Sequence, residues 1–121
     1  REAVEQHWIP ALDEFKPELV VFSAGFDAHV EDEMAMLQLR DDDYAWVTAQ
    51  VKAVADRHAK GRIVSVLEGG YALSALGRCV VRHVKVLAAL GCWRSPSIRA
   101  RWKRRSARRR RRSSRRSRRF T

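Results

Sequence analysis

An α/β architecture with parallel strands is what this 121-residue sequence predicts, from three observations. Two short apolar runs, Leu19–Ser23 and Arg62–Leu67, each lead into a glycine-containing turn. Apolar runs this short, bounded by loop signals, read as buried strands. A segment of helical period separates them, with one more helical segment before and one after. The order helix–strand–helix–strand–helix argues for helices layered on a parallel sheet with right-handed crossovers.

Each element has its own signal. In Arg1–Phe15, Val4, Trp8, Leu12 and Phe15 recur on one helical stripe. Pro10 kinks that helix or marks a fresh start, because proline cannot donate a backbone hydrogen bond. Lys16-Pro17 turns the chain into the first strand. Gly25 to Leu39 reads as a loop, acidic at Glu31-Asp32-Glu33 and carrying Met34, Met36, Leu37 and Leu39. Loops of that length inside compact domains are often functional. Asp41-Asp42-Asp43 opens the next helix, with Asp41 as N-cap and all three acids complementing the helix dipole. Tyr44, Val47, Val51, Val54 and His58 share one face, and Gly61 is the stop. Ile63–Leu67 is the second strand. Leu73–Leu90 is the last helix, with Leu76, Val80, His83, Val84 and Leu87 as its buried stripe and Gly91 as its end.

The net charge of +11 averages two different kinds of sequence. Residues 1–92 hold 10 basic and 14 acidic side chains, a net −4, whereas residues 93–121 hold 15 basic and no acidic ones. The expected organisation is a folded portion over 1–92 and a disordered arginine-rich tail over 93–121, because such a tail cannot build a core. Cys79 and Cys92 form no paired metal spacing and read as a helix-packed thiol and a stray one. No apolar run is long enough to span a membrane, and no apolar segment follows the first residues as in a signal peptide, so a cytoplasmic protein is expected. Gly69-Gly70 lacks the third glycine and the Lys-Ser/Thr of a phosphate loop.

Each strand delivers one polar residue to its exit. Asp27 follows the first strand at the carboxyl edge where parallel sheets place their sites, and Tyr71 follows the second. Read alone, Asp27 is a loop carboxylate that caps or pairs, and Tyr71 is a half-buried aromatic after a turn. His29 reads as a loop residue, and His7, His58 and His83 as helix-face residues.

The motifs Ser23-Ala24-Gly25-Phe26-Asp27-Ala28-His29 and Leu67-Glu68-Gly69-Gly70-Tyr71, about 40 residues apart with a helix between, resemble the C-terminal part of the histone deacetylase superfamily. The flavour is that of its bacterial, class II-like and acetylpolyamine amidohydrolase members, and the match runs from about Arg1 to Gly91. The resemblance implies the arginase-like three-layer sandwich, in part. It implies that Asp27 is a ligand of a catalytic zinc and that Tyr71 is the catalytic phenol facing the substrate carbonyl. Gly25, Phe26, Glu68, Gly69 and Gly70 would form the active-site loops, with the glycines allowing a tight turn beneath the tyrosine. The family's tandem-histidine base and its other two zinc ligands, an upstream aspartate and histidine, have no counterpart here, so this chain alone is expected to bind no zinc tightly and to be inactive. Ala72 departs from the acidic residue or asparagine that usually follows the tyrosine, which removes a cap or loop hydrogen bond.

Two function classes follow. The first is a fragment of a zinc-dependent deacetylase acting on acetyl-lysine or acetyl-polyamine amides. The second is a non-enzymatic basic protein that binds nucleic acid through Arg108, Arg109, Arg110, Arg111 and Arg112, with Trp93 or Trp102 stacking on bases. Arginine outnumbers lysine 14 to 1 in the tail, against 6 to 4 before it, which also fits translation out of frame from GC-rich DNA.

Overall fold

A computed structural model describes residues 1–89 of the chain. Cys92, Trp93, Trp102 and Arg108 to Arg112, with every expectation attached to the tail, lie outside the described residues.

The element order is a π-helical stretch Val4–Trp8, α1 (Ile9–Phe15), β1 (Val20–Ala24), α2 (Asp41–His58), β2 (Ile63–Leu67) and α3 (Leu73–Leu87). Pro10 sits in the first turn of α1, directly after the π-helical stretch, and Trp8 and Ile9 keep helical dihedrals, so the helix runs through the proline without a fresh start. The strands are parallel and in direct register, from Val20 opposite Ile63 to Ala24 opposite Leu67. β1 lies one residue later than the apolar run suggests.

Alternation decides which face of the sheet is covered. Val20 packs with Val51, Ala55 and Ala59 of the α2 side, joined by Phe22 and Ile63. Ala24 and Phe26 pack with Tyr44 and Cys79, bringing in α3 through Leu76 and Val80. On the other face Val21, Val64 and Val66 are 65%, 49% and 50% exposed. A parallel sheet is normally buried on both faces. The described residues therefore form a sheet and one helical layer, which corrects the expectation that both strands are buried.

Two helical stripes differ from the sequence pattern. Trp8 and Phe15 are exposed; the first helical segment lies along α2, with Arg1 at Asp43 and Asp13 at Arg57 and His58, and the partly buried residues are Val4, Ile9, Leu12 and Asp13. α3 buries Ala75, Cys79 and His83, four residues apart, while Val84 is exposed. His83 belongs to the expected stripe, but the fully buried positions beside it are Ala75 and Cys79, with Leu76 and Val80 packed at the margin of the core. Trp46, outside the expected face of α2, is 2% exposed, with the Arg1 guanidinium 5.0 Å from its ring.

His83 ties the layers together. The Thr48 hydroxyl donates to the Tyr44 carbonyl at 2.6 Å, so its oxygen accepts from His83 Nδ1 at 2.7 Å. The Ser65 hydroxyl then donates to Nε2 at 2.8 Å. Phe22 and Phe26 meet the ring edge-on. Burial among these groups holds the imidazole below its usual pKa. The unfolded chain thus takes up a proton that the folded one refuses, and stability should fall as pH drops through about 6.5. The decline should level off below the folded pKa and disappear in His83→Gln, as urea midpoints between pH 8 and 5 would reveal. An equal slope in the variant would assign the decline to other groups.

Candidate active site at the carboxyl edge

Parallel pairing brings the exits of both strands to one edge. The ladder continues past them: Glu68 N–H donates to the Ala24 carbonyl at 3.1 Å and Phe26 N–H to the Gly69 carbonyl at 2.8 Å. The two loops are therefore zipped together, and Gly25, Phe26 and Asp27 lie against Glu68, Gly69 and Gly70. The Tyr44 hydroxyl, reaching from α2, donates to the Phe26 carbonyl at 3.0 Å and supports the first loop from below. Burial raises its pKa, so it stays protonated as the donor.

Asp27 lies over Gly69. A Cβ on Gly69 would stand 2.8 Å from Asp27 Oδ2 and 3.0 Å from its Cγ. Only a residue without a side chain leaves the carboxylate in place. Gly70 has φ +134°, and a Cβ there would come within 3.1 Å of Phe26 Cβ, so both conformation and space favour glycine. Among the described residues no hydrogen bond or ion pair engages the Asp27 carboxylate, which is half-buried. The capping or pairing role that the residue suggests in isolation is not what it does here. An unengaged carboxylate at a loop junction fits a metal ligand, because neither oxygen must give up a partner. A catalytic zinc requires three protein ligands, so Asp27 can be only one of them. Tyr71, four residues beyond β2, leaves the same edge and is 61% exposed, its phenol oxygen making no hydrogen bond among the described residues.

The loop between β1 and α2 is closed by a bridge between His29 and Leu39, with Leu39 N–H donating to the Ala28 carbonyl and Val30 N–H to the Leu39 carbonyl. Arg40, not Asp41, is the N-cap of α2, and the Asp43 side chain reaches back to the Arg40 N–H at 3.0 Å. That leaves Asp41 free for other partners, which could not be read from a run of three aspartates.

His29, Asp41 and Cys79 place one potential ligand atom each within 4.8 Å of the others, close enough to hold an ion. Their hydrogen bonds give all three another occupation. Glu31 N–H donates to His29 Nδ1 at 3.1 Å, so the proton sits on Nε2, which donates to Asp41 Oδ1 at 3.0 Å. Asp41 also takes Arg78, and these donors hold its carboxyl below the usual range against the opposing effect of burial. Burial pushes the Cys79 thiol up to about 11, which keeps it protonated at neutral pH. The group is a clamp joining the loop, α2 and α3. The sequence shows Asp41 and Cys79 only as separate residues 38 positions apart.

Asp32 is the second residue that the sequence left undistinguished. It is 6% exposed within the acidic stretch, and its carboxylate accepts backbone N–H groups from Tyr71, Ala72 and Met34. These bonds hold its pKa below the ordinary range, those from Ala72 and Tyr71 foremost. The cap lost with Ala72 is replaced from across the site.

Comparison with known proteins agrees with this geometry. The histone deacetylase domain family matches residues 1–87. Type-2 histone deacetylase 1 of Dictyostelium discoideum is 46% identical over 80 residues, 66% of this chain and 5% of that protein. The histone deacetylase-like amidohydrolase of Pseudomonas aeruginosa is 38% identical over 89 residues, 74% of this chain and 23% of that protein. The crystal structure of the HDA15 HD domain superposes with a TM-score of 0.64 at 28% identity, over 70% of this chain and 23% of that one. The structure of the histone deacetylase Clr3 gives 0.66 at 29%, over 74% and 14%. The chain thus spans at most about a quarter of these relatives. The likeness establishes the arginase/deacetylase fold, of which the described sheet and helices are a part. Among the described residues no helix is long and apolar enough to cross a membrane.

Proposed function

The chain belongs to the histone deacetylase family, and from that membership we propose that it is the C-terminal portion of a zinc-dependent hydrolase of acetyl-lysine or acetyl-polyamine amides. The observation that supports this best is the delivery of Asp27 and Tyr71 to one sheet edge, with a carboxylate seated over Gly69 that no described residue engages. Zinc, when bound, supplies a Lewis acid that polarises the amide carbonyl and activates water. Asp27 is the residue of this chain that would hold it. Two further ligands and a general base must come from other parts of a complete domain, because His29, Asp41 and Cys79 are committed to one another. The Tyr71 phenol donates a hydrogen bond to the carbonyl oxygen, and that bond strengthens as negative charge develops there. Glu68, Gly69 and Gly70 hold the turn from which the phenol projects, and Gly25 and Phe26 form the facing wall. Residues 1–92 are assigned to this domain and 93–121 to a separate segment.

The test is a graft in which Arg1–Leu87 replaces the matching part of the Pseudomonas aeruginosa amidohydrolase. The graft should hydrolyse an acetyl-lysine peptide in a zinc-dependent way, and the 121-residue chain alone should not. A folded but inactive graft, or robust turnover by the chain alone, would refute the assignment of roles.

A further inference from the structure

We propose that Asp32 is a positioning residue for Tyr71, its buried carboxylate fixing the backbone from which the phenol projects. The inference rests on the role given to Tyr71 above and adds the residue that sets its orientation.

Nothing else described holds Tyr71. Its side chain is largely exposed, and its phenol has no hydrogen-bond partner among the described residues. The two residues before it are glycines; the Gly69 carbonyl is tied to the Phe26 N–H, but Gly70, at φ +134°, brings little stiffness to the step into Tyr71. The residue after it, Ala72, stands at the N-cap of α3 and has no side-chain oxygen to close the turn. Asp32 supplies what these positions lack. Its Oδ2 accepts the Tyr71 N–H at 2.7 Å and the Ala72 N–H at 2.9 Å, while Oδ1 accepts the Met34 N–H at 3.1 Å. Hydrogen bonds to a carboxylate are shorter and stronger than neutral ones, and a negative charge at the first turn of α3 is also favoured by the helix dipole.

Asp32 is itself fixed. Its N–H donates to the His29 carbonyl at 2.9 Å, and the His29 ring is anchored on Asp41 at the start of α2. A continuous chain of contacts therefore runs from α2 through His29 and Asp32 to the Tyr71 backbone. The α2 terminus sets the angle at which the tyrosine leaves the sheet edge, although Tyr71 follows β2 in sequence.

A simple helix cap would hold Ala72 and the first turn of α3 without governing the glycine turn. Amide hydrogen exchange and backbone 15N relaxation of the 121-residue chain separate the two. In Asp32→Ala the Tyr71 and Ala72 amides should lose protection by about tenfold or more. Gly69 to Tyr71 should become mobile on the sub-nanosecond scale, while the amides of Val54 and Ala55 keep their protection. Asp32→Asn retains the shape and one acceptor, and should fall between the two. If Asp32→Ala unfolds the chain, Asp32→Asn decides on the same amides. Unchanged order at Gly69–Tyr71, or loss confined to α3, would overturn the proposal. Neither measurement involves zinc or substrate, so an inactive graft would refute the proposed function and leave this result standing.

Discussion

Tyr71→Phe in the active graft should lower kcat about 10²–10³-fold while leaving KM nearly unchanged. The phenol oxygen has no structural partner among the described residues, so its removal should not disturb the fold. The backbone of residue 71 is held by Asp32 whatever the side chain, so the ring should remain in place. What is lost is one donor aimed at the oxygen where negative charge develops, and such a donor acts mainly in the transition state. Steady-state kinetics on an acetyl-lysine peptide give the answer. A fall of less than about fivefold, or a loss confined to KM, would mean that Tyr71 binds substrate without stabilising the reaction.

Trp46→Ala should cost about 3–5 kcal/mol, the range for deleting a large buried aromatic. Trp46 is among the most buried side chains described, covered on one side by the Arg1 guanidinium, which also pairs with Asp43. The loss would consume much of the 5–15 kcal/mol that typical domains possess. Urea unfolding followed by circular dichroism should show a much lower midpoint with little change of slope. A midpoint shift worth less than about 1 kcal/mol would show that the site collapses or that Trp46 is not packed as described.

The strands and the site edge were legible because they rest on short-range signals. Apolar runs ending in Gly25 and in Gly69-Gly70 mark both strand exits, and parallel pairing then places Asp27 beside the glycine turn. The resemblance named the same two residues. What could not be read joins residues far apart in the chain. Asp32 looks like its neighbours Glu31 and Glu33 until the fold brings Tyr71 to it. His83 carries the same helical periodicity as Val84, yet one is buried in a polar network and the other exposed. Their difference depends on Thr48 and Ser65, which reach His83 from α2 and β2. The expectation of fully buried strands failed for a related reason. Hydrophobicity alone does not say which face of a strand is covered, and among the described residues no helix packs over Val21, Val64 and Val66.

Zinc binding by the graft, before and after Asp27→Ala, tests the central claim most directly. Equilibrium dialysis with zinc alone, at equal protein concentration and with folding checked by circular dichroism, should give one tightly held ion per domain in the parent graft. The variant should bind at least about 10²-fold more weakly, because a site reduced from three ligands to two loses both a bond and the compensating charge. Undiminished zinc affinity in a folded Asp27→Ala graft would contradict the claim.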